Sequence, residues 1–198
     1  MKLFILIILL IFLSGCENKE NPKVEKTLKN FNIIAFDTPT LVEKETVIGE
    51  AVTKIKDTGI NRVSNINLAC SAINQCELKK GEEFSFNNLT GERSSRRGYK
   101  YAPIIFKGEK SYGIGGGICQ VSSTVYMAAV NAGMKITEHY PHSEKVAYAP
   151  SGKDATVVYG EKDLKFINNT KNTVVIYAWV EEQKVFSKII KKSIDIQK

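Results

Sequence analysis

Histidine, tryptophan and proline are scarce in this 198-residue chain, which has two, one and five of them. Two histidines cannot build a His-rich metal centre, and four cysteines spread over such a length make no disulfide scaffold. Nothing in the composition calls for a cofactor. No apolar run approaches the ~20 residues that a membrane-crossing helix needs, and no internal repeat recurs at periods of about 20 to 50 residues. What is present is ordinary for a globular protein: 43% hydrophobic residues exclude wholesale disorder, and the length suits one domain with its own core. The 28 basic against 21 acidic side chains, a formal charge of +7, point to polyanions. Nucleic acid, anionic lipid and acidic wall polymers all fit that balance.

The N-terminus narrows the choice. Lys2 is followed by an apolar run from Leu3 to Leu13, too short to span a bilayer and right for the core of a secretion signal. The run ends at Leu13-Ser14-Gly15-Cys16, which resembles the lipobox of bacterial lipoproteins. That resemblance implies a lipoprotein signal with lipobox over residues 1–16, cut just before Cys16, which would become the acylated first residue of an extracytoplasmic, membrane-anchored chain. Only one positive charge, Lys2, is lost with the signal. Export makes nucleic acid a poor partner, as does the presence of only four arginines with no aromatic-interleaved basic stripe. Anionic headgroups and wall polymers are the polyanions that remain.

Residues 17–30 are polar, charged and contain Pro22, and read as a tether; the folded part is expected over 31–198. Asn32–Phe36 and Thr46–Val52 read as strands. Asn61 is placed to cap a helix whose apolar positions Val63, Ile66, Ala69, Cys70 and Ile73 fall three and four apart. Lys79–Glu82 reads as a turn, and Phe84 and Phe86 alternate as in a half-buried strand. Tyr101–Phe106 reads as a strand and Lys107–Glu109 as a turn. Gly113 to Thr124 reads as a flexible loop running into a helix with small and apolar positions at Val121, Val125, Ala128, Ala129 and Ala132, closed by Gly133. Further strands are expected near Thr156–Tyr159 and Leu164–Ile167, and a hairpin from Val174–Val180 and Lys184–Ile190. Strands outnumber helices without alternating with them. The expected class is therefore α+β: one domain with a mixed or antiparallel sheet and a helix after the glycine-rich loop.

The chemistry concentrates in Gly115-Gly116-Gly117-Ile118-Cys119. Consecutive glycines permit positive φ and close backbone approach. A cysteine at a helix start feels the positive end of the helix dipole, which favours its thiolate. The same turn can aim N–H groups of Gly117, Ile118 or Cys119 at a developing oxyanion. Such a thiol needs a base, and only His139 and His142 are available. Taken one at a time, these features also suit a packed cysteine, a plain loop and two surface histidines.

Several ordered segments carry a resemblance: Arg62-x-x-Asn65-Ile66, Gly81-Glu82-x-Phe84-Ser85-Phe86-Asn87, Thr90-Gly91-x-Arg93, Arg97-Gly98-Tyr99, Gly115 through Thr124 with Tyr126, His142-Ser143, Gly152-x-Asp154-Ala155-Thr156-Val157, and Asp163-Leu164-Lys165-Phe166-x-Asn168-Asn169-Thr170. Together they are similar to the VanW family of bacterial envelope proteins, strongest over 48–180. The family takes its name from an accessory gene of vancomycin-resistance clusters. The resemblance implies peptidoglycan L,D-transpeptidase chemistry with Cys119 as nucleophile, and Gly116, Gly117, Ile118 and Gln120 as the loop around the oxyanion. The family's usual Glu-Arg-His-x-His-Ser is here Glu138-His139-Tyr140-Pro141-His142-Ser143, so His142 matches the family's last histidine and is the expected base, with His139 in reserve. Asp154 is either the carboxylate that orients the imidazole or a turn-forming or structural residue.

The implied reaction is attack of Cys119 on the third residue of a tetrapeptide stem, loss of the terminal D-Ala, and transfer of the acyl group to a neighbouring stem amine as a 3→3 cross-link. Arg93 is expected to hold a stem carboxylate. Arg97 and Lys100 read as a solvated basic loop. Ser122 and Ser123 either line the site or cap the helix. The alternatives are a noncatalytic wall-binding or glycopeptide-resistance accessory lipoprotein, and a thiol hydrolase that cuts stems without transfer. Cys70 and Cys76 lie close enough in sequence for a disulfide, or are two unpaired thiols.

Overall fold

The computed structural model describes residues 40–106 and 109–197. The signal, Cys16, the tether, the strand expected at Asn32–Phe36, and Lys107 and Gly108 of the expected turn lie outside them. The described residues form an α+β domain whose strand pairings are all antiparallel.

The larger sheet has the order β1-β9-β8-β2, with β1 Thr40–Lys54, β2 Cys76–Leu78, β8 Val174–Glu181 and β9 Lys184–Gln197. The segment Thr46–Val52 is the second half of β1. In β9, Val185, Ser187 and Ile189 are buried while Phe186, Lys188 and Ile190 face the other way half-buried, the period-two pattern of a sheet covered more on one side. The hairpin turn places Glu182 and Gln183 at φ 46° and 57°, the left-handed pair that matches the twist of the flanking strands. The β1 to β9 register runs from Thr40↔Gln197 to Lys54↔Lys184 with one irregularity, between Val47 and Gly49.

Two helices cover the buried face. Helix α1 (Ile60–Ile73) packs across β8 and buries Ile66, Ala69, Cys70 and Ile73, as its periodicity predicts. Its cap differs from expectation: Gly59 is the N-cap, and Asn61 sits inside the first turn with its amide donating to the Tyr101 carbonyl at 3.0 Å. Helix α3 (Ile118–Asn131) lies over β1 and β9. At Gly49 the two backbones nearly touch: a Cβ there would stand 2.4 Å from the Ala128 carbonyl oxygen and 2.6 Å from the Ala132 Cβ. The helix that carries Cys119 is thus seated on bare strand backbone. Gly133, with φ 69°, follows the C-cap Ala132.

A second sheet, β3-β7-β6, is formed by Glu83–Ser85, Lys165–Ile167 and Lys135–Glu138, with the cross-strand pair Phe84 and Phe166 stacked at 4.5 Å. The strand expected through Phe86 stops early, because the Ser85 hydroxyl accepts the Asn88 N–H and starts the short helix α2 (Phe86–Thr90). Strands β4 (Tyr101–Phe106) and β5 (Glu109–Ile114) form a hairpin, so Gly113 and Ile114 are strand and not loop.

No strand forms at Thr156–Tyr159. Only one bridge, Val158↔Lys162, stands there, inside an irregular stretch from His139 to Leu164. That stretch is fastened by Asp163, whose buried carboxylate accepts from Ser85 Oγ (2.6 Å), Asn87 N (2.9 Å) and Leu164 N (2.8 Å). Cys70 and Cys76 are free thiols; burial pushes the Cys70 thiol up to about 12. No helix among the described residues is long and apolar enough to cross a membrane.

Two substitutions test these supports by urea denaturation. Gly49→Ala forces α3 off β1 and is expected to destabilise by about 1–3 kcal/mol. Asp163→Ala leaves three buried donors unmet and is expected to cost about 2–4 kcal/mol; wild-type midpoints for both variants would contradict the account.

Candidate functional site

Helix α3 begins at the glycine run, and each glycine there has a steric reason. Gly115 and Gly117 take φ 86° and 107°, where side chains are strained. Gly116 lies against strand β4, where a Cβ would come within 2.4 Å of the Pro103 carbonyl oxygen. Asn65 of α1, fully buried, ties the loop down: its Nδ2 donates to the carbonyls of Lys100 (2.9 Å) and Gly116 (3.0 Å), and its Oδ1 accepts the Lys100 N–H (2.7 Å). Cys119 follows in the first turn of α3. The Ile118 and Gln120 N–H groups bond back to Gly115 and Gly117, while the N–H groups of Gly116, Gly117 and Cys119 bond to no other described residue.

Ser122 and Ser123 are fully buried and do not line the cleft, and the cap of α3 is Gly117. Both serines hold Ala155 against the helix instead: Ser122 Oγ donates to the Ala155 carbonyl at 2.7 Å, and Ser123 Oγ accepts the Ala155 N–H at 2.8 Å while donating to the Cys119 carbonyl at 2.6 Å. This brings Asp154 beside the nucleophile. The neighbouring strand of chain is aligned by Thr156 N–H to the Tyr140 carbonyl at 2.7 Å.

Asp154 holds the His142 ring in place. Its Oδ2 accepts both the His142 backbone N–H (2.7 Å) and the ring Nδ1–H (2.5 Å), with the two side chains only 6% and 12% exposed. That leaves Nε2 unpaired on the side of Cys119, whose sulfur lies 3.8 Å from the Val157 carbonyl and whose charge and that of His142 act on each other. His139 serves elsewhere. It stacks on Tyr126 at 4.0 Å with 8° between planes, and its Nε2 donates to the Asp154 carbonyl at 2.7 Å, since a carbonyl can only accept. Both histidines thus act on Asp154, one on its side chain and one on its main chain.

The charges favour a reactive thiol. Burial alone would raise the Cys119 thiol, but His142, the Val157 backbone and the charge of Arg93 outweigh it and hold it below its ordinary range. His142 mirrors this: burial would lower it, yet Cys119 and Asp154 hold the imidazole above its usual value. Burial opposes ionised Asp154 as well, and its bonds to His142 still keep it low. Both shifts run toward the thiolate and the imidazolium.

The triad opens onto a cleft of about 970 Å³ bounded by the glycine loop, the β4–β5 hairpin and the irregular stretch. Arg93 lines it, as expected, and so do Arg62 and Tyr148, which the sequence reading passed over. Gln120 is buried below: its Nε2 bonds Thr53 Oγ1 (3.0 Å) and the Lys54 carbonyl (3.1 Å), and its Oε1 accepts from Arg62 Nη2 (3.0 Å). Tyr148 stands edge-on to His142 at 6.4 Å, its phenol raised by burial and by the nearby Cys119. A signal for Arg62 existed in the spacing Arg62-x-x-Asn65, one helical turn, which puts it beside the residue that grips the loop. Arg97 and Lys100 are exposed. Among the described residues no cluster of three or more His, Cys, Asp or Glu suits a metal ion.

These charges predict the pH dependence of alkylation at Cys119. The thiolate is the reactive form, so the rate should rise through a midpoint below that of an ordinary thiol. His142→Ala should move the midpoint upward, and Asp154→Asn should move it in the same direction by less. His139→Ala should lower the rate without removing the pH shift; an unshifted profile in His142→Ala would refute the coupling.

Comparison with known proteins places the chain in a family. A family model described as VanW like protein matches residues 61–190, a span that holds Arg62, Arg93, Cys119, His142 and Asp154. The uncharacterized protein YoaR of Bacillus subtilis (strain 168) is 44% identical over 131 residues, covering 66% of this chain and 43% of that protein. The Vancomycin B-type resistance protein VanW of Enterococcus faecalis (strain ATCC 700802 / V583) is 29% identical over 134 residues, covering 65% of this chain and 49% of that protein. The chain thus spans less than half the length of either relative. No solved structure matches it. The chain belongs to the VanW-like family.

Proposed function

We propose that this chain is a thiol acyltransferase of the cell envelope, an L,D-transpeptidase acting on peptidoglycan stem peptides from a lipid anchor at Cys16 outside the cytoplasm. The observation that carries the reading is Cys119 and His142 lining one cleft with the imidazole held at Nδ1 by Asp154. The printed name of the enterococcal relative, a vancomycin resistance protein, agrees with a role at the wall.

The thiolate attacks the carbonyl carbon of the donor stem's third residue, and the oxyanion finds the unpartnered N–H groups of Gly117 and Cys119. The C–N bond breaks, and the departing amine takes the proton from His142 Nε2, leaving a thioester and a neutral imidazole. An amine of a second stem then attacks the thioester. Its proton passes to His142, the C–S bond breaks, and the thiolate and imidazolium are restored with a 3→3 cross-link formed. Asp154 holds Nδ1–H throughout, so that Nε2 always faces the sulfur. A noncatalytic wall binder has no use for a linked thiol, imidazole and carboxylate, which is why the acyl-transfer reading is preferred.

Purified protein incubated with tetrapeptide muropeptides is expected to give a thioester on Cys119 and 3→3 dimers by mass spectrometry. Cys119→Ala should give neither, and His142→Ala should slow dimer formation by about 10²- to 10⁴-fold. Absence of both adduct and dimer from the wild-type protein would overturn the reading, and shortened monomers without dimers would make it a hydrolase.

A further inference from the structure

Strands β4 and β5 make a two-stranded unit that joins neither of the other sheets. Their register, Tyr101↔Ile114 and Pro103↔Tyr112, puts Tyr101, Pro103, Ile105, Tyr112 and Ile114 on one face. The opposite face is packed. Ala102 is buried there, and Ile104 lies across Gly113, where a Cβ would meet its Cδ1 at 2.8 Å. The first face stands open: Tyr101 is 61% and Tyr112 62% exposed, and Ile105 and Ile114 are exposed beside them. The two tyrosine rings stack on each other at 5.9 Å with 20° between planes. A contiguous apolar face of this kind, on a hairpin with no third strand, marks a place of contact.

The base of the hairpin is fixed to the loop that leads to Cys119. The Gly115 N–H donates to the Lys100 carbonyl at 3.0 Å, Gly116 packs against the backbone of Ala102 and Pro103, and Asn61 and Asn65 of α1 hold the Tyr101 and Lys100 carbonyls. Pro103, Ile105, Tyr112 and Ile114 also line the cleft, and Tyr101 continues their face beyond its lip. The open face is thus continuous with the cleft and set at a constant distance from the cysteine. Its chemistry differs from that of the cleft, which holds Arg62, Arg93 and three acids, because none of the five side chains is charged. An occupant that matches it is neutral, flat and apolar on one side, with polar groups at its edge for water and the phenol oxygens. A pyranose ring has that form: its C–H face lies on an aromatic ring while hydroxyl and acetamido groups point outward.

We propose that the β4–β5 hairpin is a sugar platform, on which Tyr101 and Tyr112 stack against N-acetylated sugar rings of the glycan that bears the stem peptide in the cleft. This deepens the function proposed above and rests on stem peptides entering the cleft. A stem is joined covalently to its glycan, so any stem that reaches Cys119 brings a sugar to the lip where the tyrosines stand. The charged cleft takes the peptide and the neutral hairpin takes the ring. Holding one part raises the local concentration of the other, so the chain binds the glycan-borne stem in preference to the free peptide.

The test is calorimetric titration of the full chain carrying Cys119→Ala, which cannot turn its ligand over. One ligand is a free tetrapeptide, and the other is the same tetrapeptide on an N-acetylglucosaminyl-N-acetylmuramyl disaccharide. The disaccharide form is expected to bind at least about tenfold more tightly. Adding Tyr101→Ala or Tyr112→Ala should remove several-fold of that advantage and the pair should remove all of it, with the affinity for free tetrapeptide unchanged. Tyr101→Phe and Tyr112→Phe, which keep the ring, should retain most of it, and circular dichroism checks that every variant is folded. Equal affinities for the two ligands, or a full advantage in folded alanine variants, would overturn the platform. So would sedimentation with phosphatidylglycerol vesicles that depends on the two tyrosines while the sugar advantage does not, since the face would then belong to a membrane. The outcome separates from that of the acyl-transfer reading. A tyrosine-dependent advantage in a protein whose Cys119 forms no thioester keeps the platform alone, a thioester without the advantage keeps the nucleophile alone, and failure of both ligands to bind overturns both.

Discussion

Ser122 and Ser123 fasten Ala155 to the opening turns of α3, and the site depends on that clasp. The segment that carries Asp154 belongs to no sheet, so nothing in the regular architecture would bring it to the cysteine. Two hydroxyls three and four residues beyond Cys119 point from the helix onto one residue, satisfying its N–H and its carbonyl together. Once Ala155 is held, Asp154 stands where its carboxylate meets His142 and its carbonyl meets His139. The serines thus contribute geometry and leave charge to others. Their burial means that they contribute nothing directly to substrate contact.

From that clasp the electrostatics follow in order. Asp154 fixes one face of the imidazole, which turns the other toward the sulfur, and burial then works against every charged form in the group. Charges of opposite sign beside each member offset that burial. Arg93 adds positive charge that acts on the thiol in the same direction. The result is a thiol shifted toward its thiolate and an imidazole shifted toward its protonated form.

Much of this was legible in the residues. The glycine run before Cys119, the scarcity of histidine and the periodicity of α1 led to the cysteine and the histidine that share the cleft and to the helix beside the loop. The alternation of β8 and β9 gave the hairpin. What escaped had no local pattern. Ser122 and Ser123 bond to a segment some thirty residues away, and a helical serine looks the same whether it caps, packs or reaches across. Asp154 carried two readings because its meaning is set by His142 folding back onto it. Phe86 continued the alternation of Phe84, yet the hydroxyl between them ended the strand. The segment around Thr156 is rich in β-formers but finds no neighbour to pair with beyond a single bridge, since its backbone groups are taken by Tyr140 and Lys162.

The long register between β1 and β9 has a mechanical meaning. Gln120, at the floor of the cleft, grips Thr53 and Lys54 at the C-terminal end of β1, while residues 1–39 join β1 at its other end. A pull between the chain's N-terminus and something held in the cleft therefore runs along β1, parallel to the strand. Its hydrogen bonds to β9 lie across that direction. They are loaded in shear only by the part of the force that passes from β1 to the rest of the domain, which they share from Thr40 to Lys54. A domain built this way transmits tension between its two ends through its most extensively paired strand, and the helix bearing the nucleophile rides on that strand at Gly49.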